Sequence, residues 1–195
     1  GVFEMLPKGL VGVENPSDIF LSERPADSPG SIIVSNMEGS RPLLVEVQAL
    51  VTSSSSIGMP RRMSAGFDHN RTSLLIAIME KRLGLNLQGE DIFINIAGGL
   101  KISEPAVDMG VAAAIAGSFR NRSVDPHTVM IGEVGLTGEV RSVMQLEARL
   151  TEAERLGFKK CVVPHSIKED RLLNKNSSLR LVPVKTLSEA FDAVF

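Results

Sequence analysis

The sequence contains no tryptophan and no tyrosine, and its only cysteine is Cys161. A single cysteine excludes an intramolecular disulfide and a metal site made of several thiolates, and it fits a reducing cytosol. Any aromatic surface that stacks on nucleic-acid bases would have to use phenylalanine or histidine. No apolar run approaches the roughly 20 residues of a membrane-spanning helix, and no signal peptide opens the chain. We therefore expect a cytoplasmic protein with no membrane partner.

Histidine and net charge are also sparse. The three histidines, His69, His127 and His165, are far apart and have no neighbouring cluster of acids, which predicts no metal site. The formal net charge is −2 over 195 residues, so nucleic acid would have to bind a local basic patch. The glycine turn NIAGGL lacks the GxxxxGK[ST] pattern of a phosphate-binding loop. We expect no cofactor in this chain.

Strand patterns alternating with helix patterns predict a layered α/β fold. Two strands are expected around a turn at 38–40, and period-two alternation predicts a half-buried strand over 45–50. Helices are predicted over 70–84, after Pro105, over 145–157, over 166–173 and at the end of the chain. The apolar faces of the first and third helices are assigned to Leu74, Leu75, Ile78 and Met79, and to Leu146, Leu150, Ala153 and Leu156.

The first 30 residues have the composition of a linker. Pro16, Pro25, Pro29 and Gly30 interrupt them, and Ser17 is suited to cap one short turn. The abrupt, strand-like opening looks like the end of something larger. We therefore expect residues 1–30 to be the tail of an upstream domain plus a linker, and residues 31–195 to form the main domain.

Residues 132–164 resemble the catalytic-lysine segment of Lon proteases. That segment reads G-E-V/I-x-L-x-G-x-V-x-P-I-G-G-L-K and leads into a helix and then a strand ending in proline. The matching residues here are Gly132, Glu133, Val134, Leu136, Gly138, Val140, Leu146 and Val162–Val163–Pro164. The stretch EPAVDMG at 104–110 is similar to the G-P-S-A-G motif, which carries the nucleophilic serine. The resemblance implies the fold of the Lon proteolytic domain, which is like domain 2 of ribosomal protein S5.

The departures from the Lon pattern predict a degenerate protease site. The serine position is Asp108 and the lysine position is Glu147, whereas the chemistry needs a hydroxyl activated by a neighbouring base. If the two acids approached each other, repulsion would raise at least one pKa, and Arg141 or Arg149 would be available to relieve it. Lys101 and Ser103 are close in sequence, but local spacing is weak support for a rebuilt dyad. No residue is assigned a catalytic role.

The whole chain is similar to the RadA (also called Sms) family of bacterial DNA repair proteins. The segments that carry the resemblance are RPLLVEVQALV, MPRRMSAGFDHNR, INIAGGLKISEPAVD and GEVGLTGEVRSV. It implies a longer parent protein with a zinc finger and a RecA-like ATPase, to which ATP, Mg and Zn belong and whose last strand lies in residues 1–30. It further implies a hexameric ring, branch migration in recombination, the RecA recombinase as a partner, and a Lon-like domain that is an oligomerisation scaffold and contacts DNA.

A locally basic segment spans residues 61–82. Arg61, Arg62, Lys81 and Arg82 are candidate contacts to phosphates of single-stranded or branched DNA without sequence specificity, and Arg71 is a candidate subunit-interface residue. A solvated helix face with one interface arginine explains the same residues equally well. Two other functions stay open: a peptidase with an unrecognised nucleophile, and a Lon-like domain of another AAA-type ATPase such as the magnesium-chelatase-like competence family.

Overall fold

A mixed seven-stranded sheet lies at the centre of the domain. The computed structural model describes residues 3–13, 17, 21, 27–54, 59–166 and 177–195. The strands in sheet order are β11 (Arg180–Val184), β10 (Lys160–Pro164), β7 (Thr128–Met130), β3 (Ser31–Glu38), β4 (Arg41–Ser53), β6 (Glu90–Ile96) and β5 (Arg62–Ala65). Two separate antiparallel pairs are formed by β1 (Phe3–Leu6) with β2 (Gly9–Gly12), and by β8 (Glu133–Val134) with β9 (Val140–Arg141).

Four α-helices that lie wholly within the described residues cover the two faces of this sheet. They are α1 (His69–Leu83), α2 (Asp108–Arg120), α3 (Leu146–Arg155) and α4 (Leu187–Asp192). Buried residues of α1, α2 and α4 share one apolar cluster with the sheet, and those of α3 belong to a second cluster. The predicted α/β class is therefore confirmed. Among the described residues, no helix has the length and apolarity that crossing a membrane requires.

The burial of side chains along strand β4 shows where helices cover both faces of the sheet and where they cover only one. Residues 43–47 are all buried, because helices lie on both sides of the sheet there. Further along, Ala49 is buried but Leu50 is 59% exposed, which is the alternation of a sheet covered on one face only. The predicted hairpin is confirmed, since β3 and β4 pair antiparallel around Gly39 and Ser40.

Helix α1 begins one residue before the predicted start at residue 70 and ends at Gly84, as predicted. The Asp68 side chain accepts a 2.7 Å hydrogen bond from the Arg71 amide at its start, and Gly84 ends it in the left-handed region. One predicted core residue is wrong: Leu74 is 42% exposed, whereas Thr72 and Ile76 are buried. The helix is rotated so that its buried stripe is centred on Leu75, which moves Leu74 to the edge of that stripe.

The tail and the predicted loops are described only in part. Ser17 is buried, and its hydroxyl accepts a hydrogen bond from the Leu44 amide and donates one to Glu152, both at 3.1 Å. Leu21 packs against the cluster under α3. Contacts to the sheet domain therefore begin before residue 31. The predicted helical piece over 166–173 lies almost wholly outside the described residues.

Helix α2 is buried on all sides. Every residue from Asp108 to Gly117 is buried, which is typical of a helix in the middle of a core. Gly110 permits the closest approach, because a Cβ added there would lie 2.1 Å from Cγ1 of Val34 on β3. The seating of α2 on the sheet depends on this missing side chain.

We predict that Gly110→Ala lowers the free energy of unfolding by about 1–3 kcal/mol, because the added methyl overpacks the helix–sheet contact. Gly89→Ala is the matched control, since a Cβ at Gly89 would meet nothing within 4 Å. Urea unfolding of both variants measures the difference. Equal stability of the two variants would contradict this account of the contact.

Candidate functional site

The carboxylate of Asp108 lies at the first residue of α2 with none of its surface exposed. Its Oδ1 accepts a 2.9 Å hydrogen bond from Nε of Arg71, and its Oδ2 accepts one from Nη2 of the same guanidinium. The Val134 amide donates to Oδ2 at 3.1 Å. The start of a helix favours a negative charge. Asp108 is thus a fully bonded anion.

Arg71 joins three elements through this one guanidinium. Besides Asp108 it donates to the Val134 carbonyl at 3.1 Å, so that α1, α2 and β8 meet at its side chain. Burial raises the pKa of the Asp108 carboxyl, and the hydrogen bonds from Arg71 and from the Val134 amide oppose that rise. The hydrogen bond to Asp108 in turn raises the pKa of Arg71. The counter-charge of Asp108 is therefore Arg71, and not Arg141 or Arg149 as predicted.

Glu147 occupies a different environment from Asp108. It is exposed in the first turn of α3 and lines an open groove together with Pro42 and Gln145. The charged groups that act on Asp108 are Arg71 and Glu133. The expected repulsion between Asp108 and Glu147 is therefore absent from the described structure, since one acid is buried and paired while the other is solvated.

A shallow cleft of about 230 Å³ opens beside the Arg71–Asp108 pair. Arg71, Glu133, Glu139 and Arg141 line it with charges of both signs. Hydrogen bonds from Thr137 and, more weakly, from Arg141 lower the pKa of Glu139 to about 2. The cleft is smaller than the roughly 300–1,000 Å³ of ordinary ligand pockets, and its acids are already paired or solvated.

The side chains of the alternative dyad, Lys101 and Ser103, lie on the same side of their segment, but no hydrogen bond within the described residues activates the serine. Lys101 and Ser103 are both exposed on either side of the buried Ile102, so they project from the same side of an extended segment. No hydrogen bond joins them in the part of the chain that the structure describes. A serine nucleophile needs a base within hydrogen-bond reach, and this arrangement does not supply one.

A second buried ion pair was not foreseen. Arg149 is 1% exposed and donates to both carboxylate oxygens of Glu104, at 2.9 and 2.6 Å. It also donates to the carbonyls of Ser35, at 2.5 Å, and Met144, at 3.0 Å. The sequence did contain a sign of this pair, because the helical period places Arg149 on the same buried face of α3 as Leu146 and Ala153. A buried arginine needs an acid as its partner.

The candidate DNA contacts differ in how they are engaged. Arg61 is exposed but bonds the buried Asp91 through Nε, at 2.9 Å, and Nη2, at 2.7 Å, and its guanidinium lies 5.6 Å from the Phe93 ring. Arg62 is half-buried, with Nη2 3.5 Å from the Leu87 carbonyl. Arg61 is thus occupied by an acid at the surface while Arg62 is partly buried against Leu87, so the two arginines do not present one free basic surface.

Lys81 and Arg82 lie in the last turn of α1 and are exposed. Neither side chain has a hydrogen bond or an ion pair within the described residues. A Cβ at Gly138 would lie 3.4 Å from Cγ of Arg82, so the stem of Arg82 runs along the β8–β9 turn. Of the four candidate DNA contacts, Lys81 and Arg82 present free charge to solvent.

Comparison with known proteins places the chain in a family. Residues 46–167 match the family model described as subunit ChlI of Mg-chelatase, which is more than half of the chain. The chain belongs to the ChlI family.

Curated relatives extend this match over nearly the whole chain. Proteins named DNA repair protein RadA from Halalkalibacterium halodurans and Listeria monocytogenes are 49% and 46% identical over 98% and 97% of the chain. The protein of that name from Bacillus subtilis is 55% identical over 84%. The chain covers 41%, 41% and 36% of these three proteins. The resemblance to RadA found in the sequence is confirmed, and the chain spans about two fifths of its relatives.

The described residues of this ChlI-family chain contain neither a cluster of potential metal ligands nor an exposed thiol. No set of three or more histidine, cysteine, aspartate or glutamate side chains is arranged to hold a metal ion among the described residues. Cys161 is buried on β10, and burial raises the pKa of its thiol. The thiol is therefore held in its unreactive, protonated form.

We predict that Arg71→Met lowers the free energy of unfolding by about 3 kcal/mol at neutral pH, because Asp108 is left as an unpaired buried charge. Without Arg71, burial raises the pKa of Asp108 with less opposition, so the folded state binds a proton that the unfolded state releases. The variant should gain stability as the pH falls from neutral through that raised pKa, and lose it as the pH rises through it. Urea unfolding across this range measures the effect.

The matched control is the double variant Arg71→Met/Asp108→Asn, which has no carboxyl to titrate at this site. It should lack the pH dependence of Arg71→Met. The same pH dependence in both variants would show that Asp108 is not the group responsible.

Proposed function

We propose that this chain is a non-proteolytic domain of a larger RadA-type DNA repair protein, in which it serves as an assembly scaffold and a DNA contact. The observation that carries the first part is the Arg71–Asp108 pair. A buried carboxylate with three donors stands at the position of the protease nucleophile, and it neither attacks an acyl group as a hydroxyl would nor has a base beside it.

Local geometry supports the finer proposal that the fold is that of the Lon proteolytic domain. Gln145 has a φ of 53°, a left-handed conformation that is costly for any residue other than glycine. The Lon pattern has glycine at this position, directly before the leucine and lysine that correspond to Leu146 and Glu147. Gly138, at another glycine of the pattern, has a φ of 87°. The backbone thus keeps turns that suit the family's glycines.

The choice of a RadA-type parent rests on the extent of the similarity. The ChlI match, which would also suit a magnesium-chelatase-like protein, covers residues 46–167, whereas RadA relatives match 98% of the chain at 49% identity. The proposed parent is a DNA-dependent ATPase that forms a hexameric ring and drives branch migration with the RecA recombinase. ATP, Mg and Zn would be bound by parts of that protein outside this chain.

For DNA contact we propose the basic segment from Arg61 to Arg82, with Lys81 and Arg82 as its main phosphate-binding groups. Their charge is free, while Arg61 is shared with Asp91 and Arg62 is half-buried. Arg71 has a side chain that is 28% exposed. We propose that Arg71 affects a subunit boundary only indirectly, through its ion pair with Asp108. Loss of this ion pair would shift α1 relative to α2.

A residual peptidase using Lys101 and Ser103 is the second candidate, since both side chains are exposed on one side of their segment. We predict that the purified chain does not cleave casein or unfolded peptides, with or without ATP, because neither residue is activated. A fluorogenic peptide assay and a serine-reactive probe measure this. Turnover that both Lys101→Ala and Ser103→Ala abolish would overturn the non-proteolytic proposal.

The DNA proposal predicts that Lys81→Gln/Arg82→Gln weakens binding to single-stranded DNA, whatever its sequence. Loss of two phosphate contacts should make the slope of log K against log salt shallower by about 1.4. Gel-shift titrations at several salt concentrations measure the slope, and light scattering reports whether assembly is unchanged.

The charge-matched control is Arg155→Gln/Lys159→Gln, which removes one positive charge in the last turn of α3 and one in the segment between α3 and β10. The buried residues of α3 belong to a different apolar cluster from those of α1. This control should keep the wild-type slope. Equal slopes for wild type and the Lys81/Arg82 variant would leave this surface without a role in DNA binding.

A further inference from the structure

Two arginines at the end of α2 present unneutralised charge at the surface. Arg120 is the last residue of α2 and Arg122 follows the left-handed C-cap Asn121; both are exposed. Neither guanidinium forms a hydrogen bond or an ion pair within the described part of the chain. The carboxyl end of a helix favours positive charge, so the charge is stabilised there without being cancelled by an acid.

The two guanidinium groups are held in place by aromatic rings. Arg120 Cζ lies 5.7 Å from the centre of the Phe191 ring and 5.9 Å from that of Phe195, and Arg122 Cζ lies 5.9 Å from Phe195. The two rings are edge-to-face, with centroids 5.8 Å apart. Phe195 is seated against Gly117, where an added Cβ would lie 3.3 Å from its Cζ.

This stacking leaves the donors of both arginines free. A cation–π contact to a ring occupies no hydrogen-bond donor, and no donor of either guanidinium is used within the described residues, so the N–H groups remain available for an acceptor. Two such groups beside one ring are already ordered, so less side-chain entropy is lost when they bind. Planar, paired donors of this kind match the oxygens of a phosphate group.

Two acids, Glu189 and Asp192, lie on α4 close in sequence to Phe191, the ring under Arg120. The Glu189 carboxylate accepts a 2.7 Å hydrogen bond from the Lys185 amide. The Glu189 amide donates a 3.2 Å hydrogen bond to the Thr186 hydroxyl. Asp192 is exposed. Neither acid forms an ion pair with Arg120 or Arg122 within the described residues, so the patch keeps its positive charge.

A chain of contacts connects this patch to Lys81 and Arg82. The stem of Arg82 runs along Gly138, and the Gly138 carbonyl accepts a 2.9 Å hydrogen bond from the amide of Leu187, the first residue of α4. Phe191, under Arg120, is one turn further along α4, about 6 Å away by the rise of a helix. Arg120 therefore lies against α4, and Arg82 is linked to the start of α4 through Gly138.

We propose that Arg120 and Arg122 form a second phosphate-binding pair for single-stranded DNA, on the same surface as Lys81 and Arg82. This inference rests on the proposed DNA-contacting function and names a part of the interface that the basic segment 61–82 does not include. The strand would pass along α4, with phosphates held by the arginine pair at one end and by the α1 terminus at the other.

The test is fluorescence anisotropy of a labelled oligothymidylate with the 195-residue chain over about 50–200 mM salt. Arg120→Gln/Arg122→Gln should bind on the order of tenfold more weakly and flatten the salt slope by about 1.4, the value for two phosphates of a single strand. Arg120→Lys/Arg122→Lys keeps the charge and should keep most of the slope. If the glutamine variant fails to fold, the comparison of the lysine variant with wild type still bears on the proposal, because loss of its slope would overturn it.

The remaining outcomes separate this inference from the function on which it rests. Absence of binding by wild type at the lowest salt contradicts both. Weakened binding by Lys81→Gln/Arg82→Gln with unchanged binding by the Arg120/Arg122 glutamine variant overturns this inference alone. A lower mass in light scattering, with an unchanged salt slope, would make the patch a contact between copies of the chain and would also overturn it.

Discussion

The carboxylate of Asp108 is buried without any exposed surface, and its charge must be balanced where it lies. An uncompensated buried ion costs several kcal/mol even after the surroundings relax. Arg71 supplies the opposite charge and Val134 an amide, so the start of α1, the start of α2 and strand β8 are tied to one point. The positions of both large helices over the sheet follow from this tie and from the glycine contact between α2 and β3.

The Arg149–Glu104 pair extends the same principle to the other side of the turn that leads into α2. Glu104 also accepts a 2.7 Å hydrogen bond from the Met37 amide at the end of β3. The segment from Glu104 to Asp108 is thus fixed at both ends by arginines from different helices. In the proposed relationship to Lon proteases, a segment that would carry a nucleophile has become a structural joint.

Much of the fold could be predicted because the relevant signals are local. The β3–β4 turn, the Gly84 end of α1 and the proline before α2 follow from backbone preferences of single residues, and the apolar spacing of α3 follows from the helical period. The rotation of α1 could not be predicted to the residue, since Leu74 and Ile76 are both apolar and only the surface of the sheet selects between them.

The sequence by itself determined the residue types: the acids Asp108 and Glu147, a basic segment over 61–82, and the resemblance to RadA. Only the tertiary structure decided which arginines are paired with acids of the same chain. Arg61, Arg71 and Arg149 are bound to acids 30, 37 and 45 residues away, while Arg120 lies over Phe191 of α4 and Arg122 over Phe195, which follows α4. Spacing along a chain reports neighbours within one helix or strand, but a charge is balanced by whatever the fold brings within a few ångströms, and that depends on how the elements pack.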